Sequence, residues 1–196
     1  MFVTFEGLDG SGKTTQAELL AEHLRGIGRD VVLTREPGGT PLGEKVRALV
    51  LDGDDVSGWA EAALFAAARA ELVERVIRPA LERGADVVCD RYLDSSLAYQ
   101  GIARGLGVDR VLDLNLPAIG GLLPDRTFLL RVERDAAVAR AGSDRIERET
   151  ASFHAAVDEA YRELAAAFPR RVLEVDGSRP PEEIATMIRG QLRDLL

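Results

Sequence analysis

Short apolar runs alternate along the chain with longer stretches in which apolar residues recur every three or four positions. The apolar runs predict five β-strands, at Phe2–Glu6, Asp30–Thr34, Ala85–Asp90, Thr127–Val132 and Arg171–Val175. The longer stretches predict helices at Thr14–Arg25, Leu42–Leu51, Glu61–Arg83, Glu149–Phe168 and Pro181–Leu195, with a mixed helical region from Tyr92 to Leu116. Because strands and helices alternate and the strands are apolar, we expect a mostly parallel sheet with helices on both faces.

The turn after the first predicted strand contains a phosphate-binding motif. Its residues fit the pattern GxxxxGKT and are, in order, Gly7, Leu8, Asp9, Gly10, Ser11, Gly12, Lys13 and Thr14. Between a strand and a helix, such a loop binds phosphates through its backbone N–H groups and the positive end of the helix dipole. We expect Lys13 to neutralise the distal phosphates and the Thr14 hydroxyl to bind Mg²⁺. The alternative is a glycine-rich turn without a ligand.

Ligands of parallel sheets bind beyond the carboxyl ends of the strands, so the residues after the third predicted strand are candidates for chemistry. Asp90 either binds Mg²⁺ opposite Thr14, or caps the next helix or pairs with Arg91. Arg91 either holds a second phosphate through its planar fork of donors or forms a surface salt bridge.

Two further groups of side chains leave two interpretations open. Arg35 and Glu36, with Arg47 on the following helix, either flank a substrate phosphate or belong to a plain surface turn. Phe65 and Arg69 lie four residues apart on an alanine-rich helix and share a face. Either this face stacks a planar base on Phe65 and binds its carbonyl edge through Arg69, or Phe65 is core and Arg69 is solvated.

A basic segment, about residues 134–148, follows the fourth predicted strand. We interpret it as a lid that closes over phosphates and excludes water; a charged, exposed hinge is the alternative. Arg140 precedes Gly142, a candidate hinge, whereas Arg145 lies near Glu147 and is open to a local ion pair. We therefore rank Arg140 above Arg145 as the arginine that completes the site.

Composition narrows the class of protein. The 196 residues are 46% hydrophobic and contain no low-complexity run, which predicts a single folded domain over residues 1–196. A net charge of −8 argues against broad nucleic-acid binding. The only cysteine, Cys89, cannot form an internal disulfide, which suits a reducing cytoplasm. No signal peptide or membrane-length apolar stretch is visible, so we expect no membrane partner.

Five segments together resemble the thymidylate kinase family: TFEGLDGSGKTTQ, TREPGGTPLGEKVR, LFAAARAELV, DRYLDSSLAYQG and DRIERE. The resemblance implies a P-loop kinase fold, in which a five-stranded parallel sheet of order 2-3-1-4-5 carries helices on both faces and a short lid. It also implies that the protein transfers the γ-phosphoryl group of ATP to dTMP, uses Mg²⁺, and forms a homodimer.

The same resemblance implies a binding site for the dTMP base and sugar. It places thymine against Phe65, with Arg69 at the carbonyl edge of the base. Ser96 and Gln100 would lie near the base. Tyr99 would lie beneath the sugar, where it disfavours a ribose 2′-hydroxyl.

The resemblance also implies contacts around the phosphates. Arg91 would lie at the phosphates, and Asp9 would approach the sugar hydroxyl or the metal. The loop carries Gly10 where one type of thymidylate kinase has an arginine, so the chain is similar to the bacterial type that supplies arginines from the lid. The lid here has fewer arginines than is usual for that type, which leaves open whether Arg140 or Arg145 assists transfer.

Two other functions compete with a dTMP kinase. One is another small-molecule P-loop kinase, such as a deoxynucleoside kinase. The other is a nucleotide-dependent switch or a partner-stimulated ATPase. The chain contains no NKxD guanine motif, which a GTPase switch would need, and an assembly ATPase would lack an acceptor site after the third strand.

Overall fold

The structure is a computed structural model that describes residues 1–133, 142 and 144–195. Its strands are β1 (Phe2–Glu6), β2 (Val31–Arg35), β3 (Asp86–Asp90), β4 (Arg126–Arg131) and β5 (Val172–Asp176). They form one parallel sheet in the order β2-β3-β1-β4-β5, which confirms the predicted topology. Every strand bound lies within one residue of its prediction, because short apolar runs are typical of buried parallel strands.

Helices surround the sheet, and several of them differ from the prediction. They are α1 (Lys13–Gly26), α2 (Pro41–Arg47), α3 (Gly58–Leu72), α4 (Arg78–Glu82), α5 (Leu93–Ser96), α6 (Val108–Ala118), α7 (Ala151–Ala167) and α8 (Pro181–Gln191). Wider π-helical turns extend α2, α3 and α5 over Ala48–Asp52, Val73–Ile77 and Leu97–Ala103. A single π turn leaves no separate hydrophobic period, so the sequence pattern did not reveal them. Among the described residues, no helix is both long and apolar enough to cross a membrane.

Alternation along β1 sends its side chains into two layers. Val3 and Phe5 pack on one side of the sheet with α1 and α8. Phe2 packs on the other side, in the cluster that includes α7. Glu6 shares the face of Phe2, because every second residue of a strand points to the same side. This register places a buried carboxylate beneath the α5–α7 layer.

A buried polar cluster ties this layer to the sheet. Asp94 on α5 accepts two hydrogen bonds from the Arg171 guanidinium, at 2.5 and 2.7 Å, just before β5. Arg171 also donates to Thr127 Oγ1 on β4 at 3.0 Å, and Thr127 Oγ1 lies 2.8 Å from Thr4 Oγ1 on β1. The cluster therefore links α5, which begins just after the third strand, to the edge strand β5.

We expect Asp94→Ala to lower the free energy of unfolding by about 3–5 kcal/mol, because it leaves the partly buried Arg171 charge without its partner. Asp194→Ala is the matched control: it removes an ion pair to Arg126 in which the carboxylate is 60% exposed, and should cost about 0–1 kcal/mol. Urea unfolding monitored by circular dichroism measures both. Equal losses in the two variants would contradict a structural role for the Asp94–Arg171 pair.

Candidate active site

Glycines shape the loop between β1 and α1. Gly7, Gly10 and Gly12 have φ angles of 137°, 77° and 94°, a region that residues with a Cβ rarely adopt. A Cβ on Gly7 would lie 2.5 Å from the Leu130 carbonyl oxygen of β4, so only glycine allows the loop to approach the sheet this closely. Beyond the loop lies a cleft of about 1000 Å³, which is large enough for a nucleotide.

Lys13 lies at the base of this loop. Its Nζ donates a hydrogen bond to the Leu8 carbonyl oxygen at 2.7 Å and lies 3.6 Å from Asp9 Oδ1. Burial and the nearby Arg91 guanidinium lower the pKa of Lys13 to about 8, although Asp9, Asp90 and Glu6 act in the opposite direction. Negative phosphate groups in the cleft would relieve this unfavourable environment, which is what a phosphate-binding lysine requires.

Thr14 and Asp90 meet at the carboxyl end of the sheet. Thr14 Oγ1 donates to Asp90 Oδ2 at 2.5 Å, and Asp90 Oδ1 is buried without a partner in the described part of the chain. Mg²⁺ prefers oxygen ligands and is often bound by one or two carboxylates together with substrate phosphates. The donor set fits that mode of binding. Residues 1–133, 142 and 144–195 contain no group of three or more His, Cys, Asp or Glu side chains that would form an all-protein site.

A smaller cavity of about 80 Å³ adjoins the cleft. The predicted site residues that line it are Asp9, Glu36, Arg47, Phe65, Arg91, Ser96, Tyr99 and Gln100. Four of these also line the larger cleft: Asp9, Glu36, Arg47 and Arg91. The two cavities therefore meet at a wall of two acids and two arginines.

Arg91 occupies the junction of the two cavities. Its φ angle of 71° lies in the left-handed region, which is costly for a residue with a Cβ. Its guanidinium pairs with Asp9 and donates to the Gly7 carbonyl oxygen at 3.2 Å and to Ser95 Oγ at 3.1 Å. It also lies 5.3 Å from the centre of the Tyr99 ring. These contacts hold the arginine against the phosphate-binding loop and exclude the surface salt bridge that the sequence left open.

The partners of Arg91 also act on Asp9. Burial works against ionisation of Asp9, but the Arg91 and Lys13 charges outweigh it and hold the pKa of Asp9 well below its usual range. Tyr99 Oη donates to Asp9 Oδ2 at 3.4 Å. Asp9 is therefore an ionised acceptor that faces both cavities.

Glu6 is a residue that the sequence reasoning missed. Its carboxylate accepts hydrogen bonds from the Tyr92 and Ser95 backbone N–H groups at 2.8 and 3.2 Å. It also accepts from Ser95 Oγ at 2.6 Å and Tyr161 Oη at 2.8 Å. Ser95 Oγ and Tyr161 Oη accept in turn from Arg91, so Glu6 supports Arg91 from behind. The motif position before Gly7 was the only available signal, and it indicated a strand end rather than a buried acid.

Arg69 lies behind the smaller cavity and does not line it. The side chain is fully buried, so the interpretation of a solvated arginine is wrong. It donates to Glu36 Oε2 at 2.7 Å, to Ser96 Oγ at 3.0 Å, to the Tyr92 carbonyl oxygen at 3.1 Å and to Asn115 Oδ1. A direct contact of Arg69 with a base stays a prediction, and its observed contacts act on the cavity through Glu36 and Ser96.

Glu36 has one free oxygen at the junction of the cavities. Its Oε1 is buried, and no described residue donates to it. Burial raises the pKa of Glu36, and the Arg69 charge opposes that shift. Phe65 is partly buried: it packs against the core, as one interpretation predicts, and it also lines the smaller cavity. Stacking of a base on Phe65 stays a prediction.

Two further basic residues, Arg35 and Arg47, line the larger cleft. Arg35 is exposed at the cleft and pairs with Glu44 at 3.2 Å. Arg47 donates to the Pro37 carbonyl oxygen at 3.1 Å. Both remain near a cleft in which they can meet phosphate groups, as one of the two sequence interpretations predicts.

The structure describes one of the two candidate arginines of the lid, Arg145, and not the other. Arg140 falls in 134–141, outside the described residues. Arg145 is buried, and its guanidinium donates to Glu61 Oε2 at 2.5 Å and to the Val50 carbonyl oxygen at 2.9 Å. Arg145 therefore pairs with Glu61 on α3. The sequence had instead left open a local ion pair within its own segment. A catalytic role for Arg145 stays a prediction that requires this guanidinium to leave Glu61.

One wall of the large cleft was also missed by the sequence reasoning. Gly177, Arg179 and Pro181 line it, just after β5. Gln16 Nε2 on α1 donates to the Pro181 carbonyl oxygen at 2.9 Å, which fixes this wall to the phosphate-binding helix. The rule that ligands bind beyond strand ends points to this segment, but its residues carry no motif.

Comparisons with known proteins agree on one family. A family model described as thymidylate kinase matches residues 5–188. A thymidylate kinase of Leifsonia xyli is 54% identical over 98% of this chain and 94% of its own length, and one of Symbiobacterium thermophilum is 49% identical over 100% and 94%. The crystal structure of a thymidylate kinase from Ehrlichia chaffeensis is similar with a TM-score of 0.83, at 35% identity and 98% coverage of both chains.

Glu6 provides a test of the buried cluster. Burial and the Asp94 carboxylate raise the pKa of Glu6 from 4.5 to about 7. Between these values the folded protein keeps a proton that the unfolded chain releases, so this group makes stability fall as pH rises from about 4.5 to 7. Relative to Glu6→Gln, which has no such proton, wild type should lose about 3 kcal/mol of unfolding free energy across the window.

Urea unfolding of both proteins at several pH values from 4.5 to 8 measures this difference, since groups that do not interact with Glu6 titrate alike in the two proteins. Parallel pH dependence of the wild type and Glu6→Gln would mean that Glu6 has an ordinary pKa.

Proposed function

We propose that the two joined cavities hold the two substrates of a thymidylate kinase. The chain belongs to this family, and it transfers the γ-phosphoryl group of ATP to dTMP, giving dTDP and ADP. ATP lies along the phosphate-binding loop in the larger cleft, and dTMP lies in the smaller cavity. The observation that carries this assignment is the shared wall, since Asp9, Glu36, Arg47 and Arg91 line both spaces. The γ-phosphate and the acceptor phosphate then meet at this wall.

The donor half uses the loop and the end of β3. The loop glycines bring backbone N–H groups to the phosphates, and Lys13 neutralises the distal ones. Thr14 and Asp90 would hold Mg²⁺, which supplies charge neutralisation on the transferring group. Gly177, Arg179 and Pro181 line the larger cleft but not the smaller cavity, and they are suited to the nucleoside part of ATP.

The acceptor half uses the smaller cavity. Phe65 offers a flat surface for thymine, and Ser96 and Gln100 offer polar contacts to the edge of the base. Tyr99 lies beneath the sugar, and Asp9 accepts from the sugar hydroxyl. Arg69 supports this edge through Ser96.

Arginines bring the reacting oxygens together. Arg91 and Arg47 bind the acceptor phosphate from the junction, and Arg35 lies nearby in the larger cleft. An oxygen of dTMP attacks the γ-phosphorus directly, so the protein needs no nucleophile. No strong general base is needed either, because a phosphomonoester loses its second proton near a pKa of about 6. Positioning and charge neutralisation account for the catalysis.

We also propose a single domain over residues 1–196 that acts as a homodimer in the cytoplasm without binding nucleic acid. Ala60, Ala63 and Ala67 form an exposed row of small side chains on α3, on which a helix of a second copy can pack closely. The buried, unpaired thiol of Cys89 suits a reducing compartment. A net charge of −8 disfavours a nucleic-acid partner.

We expect ATP consumption in the presence of Mg²⁺ to depend on added dTMP, with weaker use of dUMP and little use of UMP. The reason is the crowding of the sugar position by Tyr99, which leaves little room for a 2′-hydroxyl. A coupled assay of ADP formation with dTMP, dUMP, UMP, thymidine and no acceptor measures the preference. Equal rates with dTMP and UMP would contradict the role of Tyr99; consumption with thymidine alone would indicate a nucleoside kinase.

We expect Arg140→Ala to lower kcat by about a thousandfold with little change in dTMP affinity, as for an arginine that neutralises charge only in the transition state. Arg145→Ala should act mainly through stability and dTMP affinity, since its guanidinium is held by Glu61. Arg148→Ala, at an exposed neighbouring position, is the control. Steady-state kinetics and dTMP titration separate these effects. Normal turnover in both Arg140 and Arg145 variants would leave the charge to Arg35 or Arg91.

A further inference from the structure

Glu61, at the start of α3, is a buried carboxylate surrounded by donors. Its Oε1 accepts from Gln100 Nε2 at 2.9 Å and from Arg104 Nε at 3.2 Å. Its Oε2 accepts from Arg104 Nη2 at 3.1 Å and from Arg145 Nη2 at 2.5 Å. Four hydrogen bonds use the full acceptor capacity of an ionised carboxylate.

Glu61 remains ionised in this environment. Burial alone would favour the protonated acid, but hydrogen bonds from Arg104, Arg145 and Gln100 outweigh it and lower the pKa of Glu61. An ionised carboxylate has no proton to donate. It therefore accepts from each of its partners at neutral pH.

This property determines the orientation of the Gln100 amide. The two ends of a glutamine amide are similar in shape, so the hydrogen-bond partners decide which end faces which way. Since Glu61 only accepts, the NH₂ end of Gln100 must face it. The carbonyl Oε1 is then the end left for a ligand in the smaller cavity, which Gln100 lines. No side chain in the described part of the chain donates to it.

Ser96 is oriented by a partner that can only donate, whereas the partner of Gln100 can only accept. Its Oγ accepts from Arg69 Nη1 at 3.0 Å, and Arg69 has no acceptor to offer in return. The hydroxyl proton of Ser96 is thus available to a ligand in the same cavity. At the part of the cavity assigned to the base, Gln100 thus presents an acceptor and Ser96 presents a donor.

The hydrogen-bonding edge of a pyrimidine distinguishes the two common ring types. Thymine and uracil carry a donor at N3 and an acceptor at O4, whereas cytosine carries an acceptor at N3 and a donor at N4. An acceptor from Gln100 beside a donor from Ser96 matches the first pattern and opposes the second.

We propose that Glu61 is a positioning residue that holds the carbonyl end of Gln100 toward the acceptor base, and that it thereby selects pyrimidines with an N3–H group over cytosine. The inference rests on the proposed placement of dTMP in the smaller cavity. Glu61 touches no substrate atom in this arrangement and acts through Gln100. Its arginine partners anchor the carboxylate, and Arg104 is held further by Glu149 at 2.5 Å.

The test compares three single variants with wild type: Glu61→Gln, Arg104→Met and Gln100→Leu. Glu61→Gln keeps the shape of the side chain but can both donate and accept, so it releases the Gln100 amide to face either way. Arg104→Met removes two hydrogen bonds from Glu61 and leaves Gln100 facing the carboxylate. The double variant Glu61→Gln/Arg104→Met removes one positive charge with the negative one, which guards against misfolding from an unbalanced buried charge.

The readout is the ratio of dissociation constants for dTMP, dCMP and N3-methyl-dTMP, measured by calorimetry, together with KM for ATP. In Glu61→Gln and in the double variant, the preference for dTMP over dCMP should fall by about tenfold to a hundredfold. The KM for ATP should stay near that of wild type, because no partner of Glu61 lines the larger cleft. Arg104→Met should keep the wild-type preference.

Two failures are distinguishable. If wild type binds dTMP and N3-methyl-dTMP equally and Gln100→Leu changes nothing, the proposed base site itself is misplaced. The inference is overturned if Gln100→Leu loses the preference for dTMP over dCMP while Glu61→Gln and the double variant keep that preference. It is also overturned if Arg104→Met loses the preference as much as Glu61→Gln does. In either case Glu61 is only a structural anchor.

Discussion

The ion pair between Arg91 and Asp9 joins the two chain segments that make the site. Asp9 belongs to the phosphate-binding loop after β1, and Arg91 follows β3, which is the neighbour of β1 in the sheet. Both side chains line both cavities, and in the proposed arrangement the donor and acceptor phosphates meet at this pair. The Arg91 charge keeps Asp9 ionised, and it adds to burial in lowering the pKa of Lys13, whereas Asp9 opposes that second shift.

A second layer of buried acids stands behind this pair. Glu6 supports Arg91 through Ser95 and Tyr161, and Glu36 pairs with Arg69. Glu61 accepts hydrogen bonds from Gln100 and from two arginines. Burying such charges is costly and contributes little to net stability. The buried acids instead fix the positions of their partners, because each acid accepts from several donors in fixed directions. Arginine suits these pairs better than lysine, because its planar fork satisfies two or more acceptors at once.

This arrangement explains why the contacts of Arg69 differ from the expectation. A fully buried guanidinium with acceptors on α5, α6 and the turn after β2 is a structural centre as well as a neighbour of the base site. Ser96 and Gln100 line the smaller cavity, and Arg69 and Glu61 hydrogen-bond to them from behind. In the proposed arrangement these buried charges decide which atoms of Ser96 and Gln100 face the base.

The apolar strands and alternating helices were sufficient to predict a mostly parallel sheet covered on both faces. The strand order came from the resemblance to a family. The sequence alone was sufficient for the phosphate-binding loop, whose eight residues are contiguous and whose chemistry depends on local backbone geometry. The acceptor-site residues lie on three separate segments, and only their resemblance to a family grouped them.

Only the tertiary structure could decide the roles of Glu6, Glu36 and Glu61, or show that Arg145 reaches Glu61, 84 positions away in the chain. An acid or an arginine in a sequence reads as a surface charge unless its partner is known. Those partners lie on other elements, and folding alone brings them together.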